Sequence, residues 1–235
     1  MSDDQKARPD SRRPSSRYSI FVGIAFVIVI VVATANTLRN RDDGILGTGQ
    51  TDRGDPLPEF ALPDLRGDSE ADANVFQDDC DTAANPCPAD DRRTPACEID
   101  VEGAIRVCDL FNRPLVLSFW FTRSADCLPT QDIVDDVSRR FRGRVNFLSI
   151  DVRDDHDAAQ DIVNERGWTM PVGWDADGAV SNLYRVGVCP TVAFAYPGGV
   201  FSGAKLGSDE LSSDQLTADV ERLLRQSRRR AAEDR

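Results

Sequence analysis

Phe119-Trp120-Phe121-Thr122-Arg123-Ser124-Ala125-Asp126-Cys127-Leu128-Pro129 is the stretch on which the reading of this chain turns. Upstream of it, Pro114 to Phe121 is apolar almost without interruption, the pattern of a strand buried on both faces. Downstream, Pro129 to Arg140 places Ile133, Val134 and Val137, with Phe141 following, on one face of a predicted helix. The quoted residues therefore form a strand-to-helix turn. They set Cys127 at the start of a helix, where the backbone dipole favours a thiolate over a thiol.

Moving outward, Val145 to Val152 reads as a second buried strand and Ala158 to Arg166 as a helix stopped by Gly167. Thr191 to Tyr196 is a third strand, closed by Pro197-Gly198-Gly199, and Val200 to Lys205 a fourth. The last helix opens on the capping-box pattern Ser212-Ser213-Asp214-Gln215 and buries Leu216, Val220, Leu223 and Leu224. Residues 226–235 read as a charged tail, with Arg228 to Arg230 a solvated helix end. A βαβ half followed by a ββα half predicts a three-layer α/β sandwich around a mixed sheet.

Before the central strand the chain is less regular. Leu57 to Leu65 is a short strand-like piece, and residues 68–103 form a polar, Asp-rich insert carrying Cys80, Cys87 and Cys97. Asn85-Pro86-Cys87-Pro88 excludes a regular element there. Ala96 to Val101 and Ala104 to Cys108, flanking Glu102-Gly103, read as a hairpin in which Cys97 faces Cys108. A Cys97–Cys108 disulfide follows as an expectation, with Cys80 and Cys87 as the remaining structural pair, although four cysteines allow three connectivities.

The 235 residues carry 28 basic and 40 acidic side chains, a net charge of -12. The first 41 residues are net positive by 4, so the remainder holds -16. A domain that acidic repels phosphate backbones, which argues against a nucleic-acid partner. From Tyr18 to Leu38 no residue is charged, and five basic residues precede that run. Its length as a helix, roughly 31 Å, matches the hydrocarbon core of a bilayer. The expected organisation is a cytoplasmic tail at 1–17, a transmembrane anchor at 18–38, a Gly-rich linker at 39–56 and an extracytoplasmic domain at 57–225, held at the cell membrane by a single pass. A cleaved signal peptide ending near Ala33-Thr34-Ala35 is the competing reading, and it exports the domain equally. In either case disulfides persist.

Several motifs, in order and spacing, resemble the thioredoxin superfamily, in particular membrane-tethered TlpA-type thioredoxins and redoxin domains. Phe119 to Cys127 is similar to the family's F-W-A-x-W-C-x-x-C turn. Gly187-Val188-Cys189-Pro190-Thr191 resembles its G-V-P-T segment, where the proline is cis. Pro171-Val172-Gly173-Trp174-Asp175-Ala176-Asp177-Gly178 followed by Tyr184 resembles the P-V-x-x-D-x-x-G…Y stretch. Phe60-Ala61-Leu62-Pro63-Asp64 resembles the F-x-L-x-D opening, and Val107-Cys108-Asp109-Leu110 the segment before the central strand. The resemblance implies a thioredoxin-like domain preceded by one transmembrane helix.

The departures bear on mechanism. Ser124 stands where the family has the first, nucleophilic cysteine, and a hydroxyl cannot replace a thiolate in disulfide exchange. Ser118 stands where thioredoxins carry a buried acid. In the family the residue before the cis-proline lies beside the active turn, so the resemblance implies Cys189 as the partner of Cys127; the cysteine count agrees with that pairing. Trp120, Arg123 and Pro190 are implied as substrate-groove residues, and Ser124 as a group that tunes the site. The substrate would be a thiol or disulfide protein, and the sequence names no electron donor. Two other readings stay open. Ser124-x-x-Cys127 is also similar to the T-x-x-C of peroxiredoxins, which implies a peroxide as substrate and Cys127 as its attacker. A catalytically inactive binding module is the third. His156, with Cys127 and Cys189, is too small a set for a metal site, and it is read as part of a solvated helix start. With no phosphate loop, dinucleotide fingerprint, hydrolase elbow or haem motif, no cofactor is expected.

Overall fold

The computed structural model describes residues 22, 25–32, 53–69, 71–75, 81–82, 85–86, 94–124, 127–207 and 211–233. The chain divides into two units, Met1–Asp43 and Gly44–Arg235. In the first, residues 25–32 are helical (α1), and Phe26 to Val32 expose their apolar side chains. Among the described residues no helix is long and apolar enough to cross a membrane. Most of the predicted span Tyr18 to Leu38 lies outside them.

The second unit is built on a five-stranded sheet. Its strands are β6 (Leu115–Trp120), β7 (Asn146–Val152), β8 (Val172–Asp175), β9 (Thr191–Tyr196) and β10 (Val200–Leu206), in the order β10-β9-β6-β7-β8. β6, β7 and β8 run parallel, β9 is antiparallel to β6, and β10 is antiparallel to β9. The helices are α2 (Cys127–Arg140), α3 (His156–Arg166), α4 (Ala179–Leu183) and α5 (Ser213–Glu233). β6 is buried at every position, as its unbroken apolar run requires. Alternation divides the core between two faces. Leu115, Leu117 and Phe119 pack with Phe60, Leu62, Val180 and Tyr184. Val116 packs on the other face with Val134, Val137 and Phe141 of the α2 segment and Leu216, Val220 and Leu223 of α5. Toward the β8 edge that same face continues through Trp120, Val172, Ala159, Val163 and Trp168.

The predicted three-layer α/β sandwich is therefore present, with local corrections. Val172 to Asp175 adds a strand beside β7, reached through α3. Gly167 ends α3 in the left-handed conformation, at φ 64°. Ser212 and Gln215 exchange the expected reciprocal capping bonds. α5 runs on to Glu233, so part of the predicted tail is helix, and Arg230 stacks on the Tyr196 ring at 4.6 Å.

The expected hairpin at Ala96 to Cys108 does not form. Ala96–Glu98 is a 3-10 turn, and β5 (Ala104–Arg106) pairs instead with β1 (Phe60–Pro63), which also takes β2 (Asn74–Val75). The turn at Glu102-Gly103 does exist, closed by Ala104 N–H to the Val101 carbonyl. Burying β1 against the core outweighs local pairing there. Within the insert, β3 (Asp81–Thr82) pairs with β4 (Asn85–Pro86), which the reading of that segment as irregular missed. Cys80 and Cys87 lie outside the described residues.

Candidate functional site

At the C-terminal end of β6 the chain leaves the sheet at Phe121, turns through Thr122 to Ser124, and enters α2 at Cys127. Cys127 N–H donates to the Ser124 carbonyl at 3.3 Å. From the neighbouring strand, the segment before β9 brings Cys189 to the same place. Its peptide bond to Pro190 is cis. The loop is held by Thr191 Oγ1 donating to the Val188 carbonyl at 2.7 Å and by Gly207 N–H donating to the Pro190 carbonyl at 2.9 Å. Cys127 and Cys189 are joined by a disulfide, their Cα atoms 5.6 Å apart.

The two sulfurs have different surroundings. Cys127 is fully buried among Trp120, Trp168 and Val163. Cys189 is only half-buried, with Sγ 3.7 Å from the Phe119 carbonyl. An incoming group therefore meets Cys189 first.

The remaining predicted residues take different places. Ser124 is half-buried and forms the turn itself. Arg123 points away from the disulfide: its guanidinium donates to the Val152 and Arg153 carbonyls and lies 3.7 Å from Asp154. Trp120 was expected to line a substrate groove. It is instead fully buried, edge-on to Trp168 with ring centroids 5.0 Å apart, because its position on β6 faces α2 and α3. It supports the turn from beneath. Pro190 is buried as well.

Ser118, at the position of the missing acid, donates to Gln131 Oε1 at 3.1 Å, and Gln131 donates to Ser149 at 2.6 Å. This neutral chain fills the space between sheet and α2. The expectation of a solvated His156 is corrected: its side chain is 14% exposed and packs edge-on against Trp174 at 4.9 Å. Cys97 and Cys108 are bonded as expected, with Cα atoms 5.8 Å apart, although the hairpin that motivated the pairing is absent.

Three buried acids escaped the sequence reading. Asp175 accepts from Val180 and Ser181 N–H and so starts α4; burial pushes its carboxyl above the ordinary range. Asp135 on α2 accepts from Thr169 and Met170 N–H and pairs with Arg139. Asp151, next to last in β7, is fully buried, and burial first, then the nearby Asp154, raises its pKa to about 9. The signal for Asp151 and Asp175 was available: each is an acid inside or just after an apolar β-run.

No family model matches the chain. The thiol-disulfide oxidoreductase ResA of Oceanobacillus iheyensis is 25% identical over 103 residues, which cover 43% of this chain and 53% of that protein. The chain thus spans about half the length of the curated relative it matches. Among solved structures, a thiol:disulfide interchange protein of the thioredoxin family from Chlorobium tepidum superposes with a TM-score of 0.53 at 15% identity, covering 74% of this chain and 98% of that one. A DsbF homologue from Corynebacterium diphtheriae gives 0.53 at 17% identity, covering 72% and 87%. At these identities the likeness is one of fold.

Proposed function

We propose that this thioredoxin-like domain carries out thiol-disulfide exchange at Cys127 and Cys189. The observation that carries this reading is the disulfide between the turn and the loop before β9, with one sulfur buried at a helix start and the other accessible. The pair replaces the two cysteines of a single turn, and Ser124 occupies the vacated position.

In the oxidised form a donor thiolate attacks Cys189 Sγ. A mixed disulfide forms, the Cys189–Cys127 bond breaks, and Cys127 leaves as a thiolate stabilised by the N-terminus of α2. The donor's second thiol then resolves the mixed disulfide, and both cysteines are reduced by two electrons. Cys189, as the accessible thiolate, passes those electrons to a substrate disulfide by the same steps, and Cys127 resolves. A peroxidase based on Cys127 is less well supported, because that sulfur is the buried one.

The test is reduction of insulin disulfides by the full chain with a dithiol donor, together with trapping. Cys127→Ala is expected to accumulate a mixed disulfide at Cys189, whereas Cys189→Ala traps none and is inactive. A Cys189→Ala variant that keeps its activity would sink the assignment. Peroxide consumption with a sulfenic acid at Cys127 would replace it by the peroxidase reading.

The uncharged stretch from Tyr18 to Leu38, its basic N-terminal flank and the uncovered apolar side chains of α1 support a single-pass anchor with the domain outside the cytoplasm. Extraction of membranes with alkaline carbonate checks it. Retention in the pellet is the expected result, and release of the full-length chain the contrary one.

A further inference from the structure

The C-terminal ends of β6, β7 and β8 place Trp120, Asp151 and Trp174 side by side, since Trp120 pairs with Asp151 and Asp151 with Trp174 in register. Register partners in a parallel sheet project from the same face, so a carboxyl group sits between two indoles. Asp151 has no exposed surface, and neither of its oxygens has a hydrogen bond of good geometry; Asp154 is the one polar residue that comes near enough to interact by both its N–H and its carboxyl. Trp120 Nε1 and His156 Nε2 are also buried without partners. Four of the six such atoms among the described residues therefore belong to this one place. An ionised carboxylate left in that state is very costly, so the group must be satisfied in another way.

Asp154 supplies it. Arg153 takes the left-handed conformation at φ 59°, which folds the chain back after β7 and brings the Asp154 carboxyl and N–H toward Asp151. A protonated Asp151 then has an O–H to donate to the Asp154 carboxylate, and the orphaned oxygens are accounted for. Asp154 in turn holds the turn that leads to Cys127: it accepts from Thr122 N–H at 2.5 Å and faces the Arg123 guanidinium at 3.7 Å. Its own backbone carbonyl accepts from Trp174 Nε1 at 3.1 Å.

We infer that Asp151 and Asp154 form a carboxyl pair sharing one proton, and that this pair is a latch positioning the Thr122–Ser124 turn and hence the Cys127–Cys189 disulfide. Asp151 is a positioning residue, acting on the disulfide through Asp154 and Thr122. The inference rests on the reading of Cys127 and Cys189 as the exchanging pair. Other charged groups face the pair from each packed element. Arg123 leans on Asp154 from the β6 turn, and Asp175 at the end of β8 opposes ionisation of Asp151. His156 at the start of α3 lies against Trp174. Burial, then Asp154, holds the Asp151 proton up to about pH 9. Above that, two adjacent carboxylates repel, Thr122 and Arg123 lose their partner's position, and the turn loosens.

The experiment follows the rate at which a water-soluble trialkylphosphine opens Cys127–Cys189 in the full chain as pH rises, read by alkylation and mass spectrometry. The rate is divided by that of an unstrained model disulfide under the same phosphine at each pH, which removes the titration of the reductant itself. The wild type is expected to show a rise of about tenfold centred near pH 9, the effect of a proton loss coupled by about one pKa unit, with a parallel change in tryptophan fluorescence. Asp151→Asn keeps a donor toward Asp154 and cannot ionise. It is expected to react at the wild-type neutral rate and to show no step.

Stability gives a second readout. A carboxyl raised in the folded state makes the wild type lose stability as pH climbs from the ordinary carboxylate range to about 9. Asp151→Asn flattens that slope and is more stable at neutral pH, so misfolding is not its expected fate. A step that persists in Asp151→Asn, or a wild type that opens readily without one, overturns the latch. A Cys127–Cys189 bond that resists the phosphine at every pH overturns instead the exchange reading beneath it.

Discussion

Two disulfides of nearly equal span are seen among the described residues, with Cα separations of 5.6 and 5.8 Å, and their surroundings differ in charge and in the burial of one sulfur. Cys127–Cys189 joins a helix start to a loop beside it, across 62 residues of sequence, at the end of a fully buried strand. Cys97–Cys108 closes 11 residues between two 3-10 turns on the face of β1. One of the first pair's sulfurs sits at a helix N-terminus, where the dipole favours a thiolate. The second pair has the Glu59 carboxylate within 4.8 Å of both sulfurs. A negative neighbour disfavours the leaving thiolate and repels an attacking one. On the proposed reading, similar Cα spans serve exchange in one place and a structural tie in the other, with charge as the distinguishing feature.

The largest expected effect breaks the comparison at its active side. Cys189→Ala should reduce exchange to background, since among the described residues no second accessible sulfur stands beside the turn. The same variant also loses the loop constraint, worth roughly 4 kcal/mol in the chain-entropy picture of a 62-residue closure. Urea unfolding therefore accompanies the assay. A destabilised but active protein would move the chemistry elsewhere.

The next effect is on stability alone. Replacing Cys97 and Cys108 together by Ala removes a closure worth roughly 3 kcal/mol. It should lower the unfolding midpoint in urea while leaving the exchange rate of the folded protein within about twofold, because the pair lies on β1 and away from the turn. An exchange rate that fell with the double replacement would mean that the two disulfides communicate, and the division of labour would be wrong.

How far this was legible in sequence follows the same division. The sheet was readable where burial on both faces leaves a continuous apolar run, as at Leu115–Trp120, and where a cap uses a fixed spacing, as at Ser212 and Gln215. β5 was misread because the turn at Glu102-Gly103 is real, while the choice of partner strand depends on β1, forty residues earlier. Local signals do not carry that choice. The Cys97–Cys108 bond was expected for a reason that did not hold, since the two turns bring the sulfurs together without a hairpin. Trp120 was read within the buried central strand and, by resemblance, as a groove residue; the burial is found, and the ring packs beneath the turn against Trp168. Asp135 was hidden because its partners, Thr169 and Met170, are distant in sequence, and Asp151 because its neighbour Asp154 reaches it through a fold-back at Arg153, whereas Asp175 caps the helix just after it and stood in the quoted motif.

The smallest effect tests the electrostatic argument directly. Glu59 is half-buried, so its charge is only partly screened at the Cys97 and Cys108 sulfurs. Glu59→Gln keeps the shape and removes the charge. If the leaving thiol becomes more acidic by about one pKa unit, the Brønsted relation for exchange gives about a threefold faster opening of Cys97–Cys108 by a small dithiol. The rate at Cys127–Cys189, measured in the same sample by differential alkylation, should not change, which makes the unaffected pair an internal control. Equal acceleration of both would point to a global loosening. No acceleration of either would mean that the Glu59 charge does not govern the Cys97–Cys108 bond, and the electrostatic contrast between the two sites would fail.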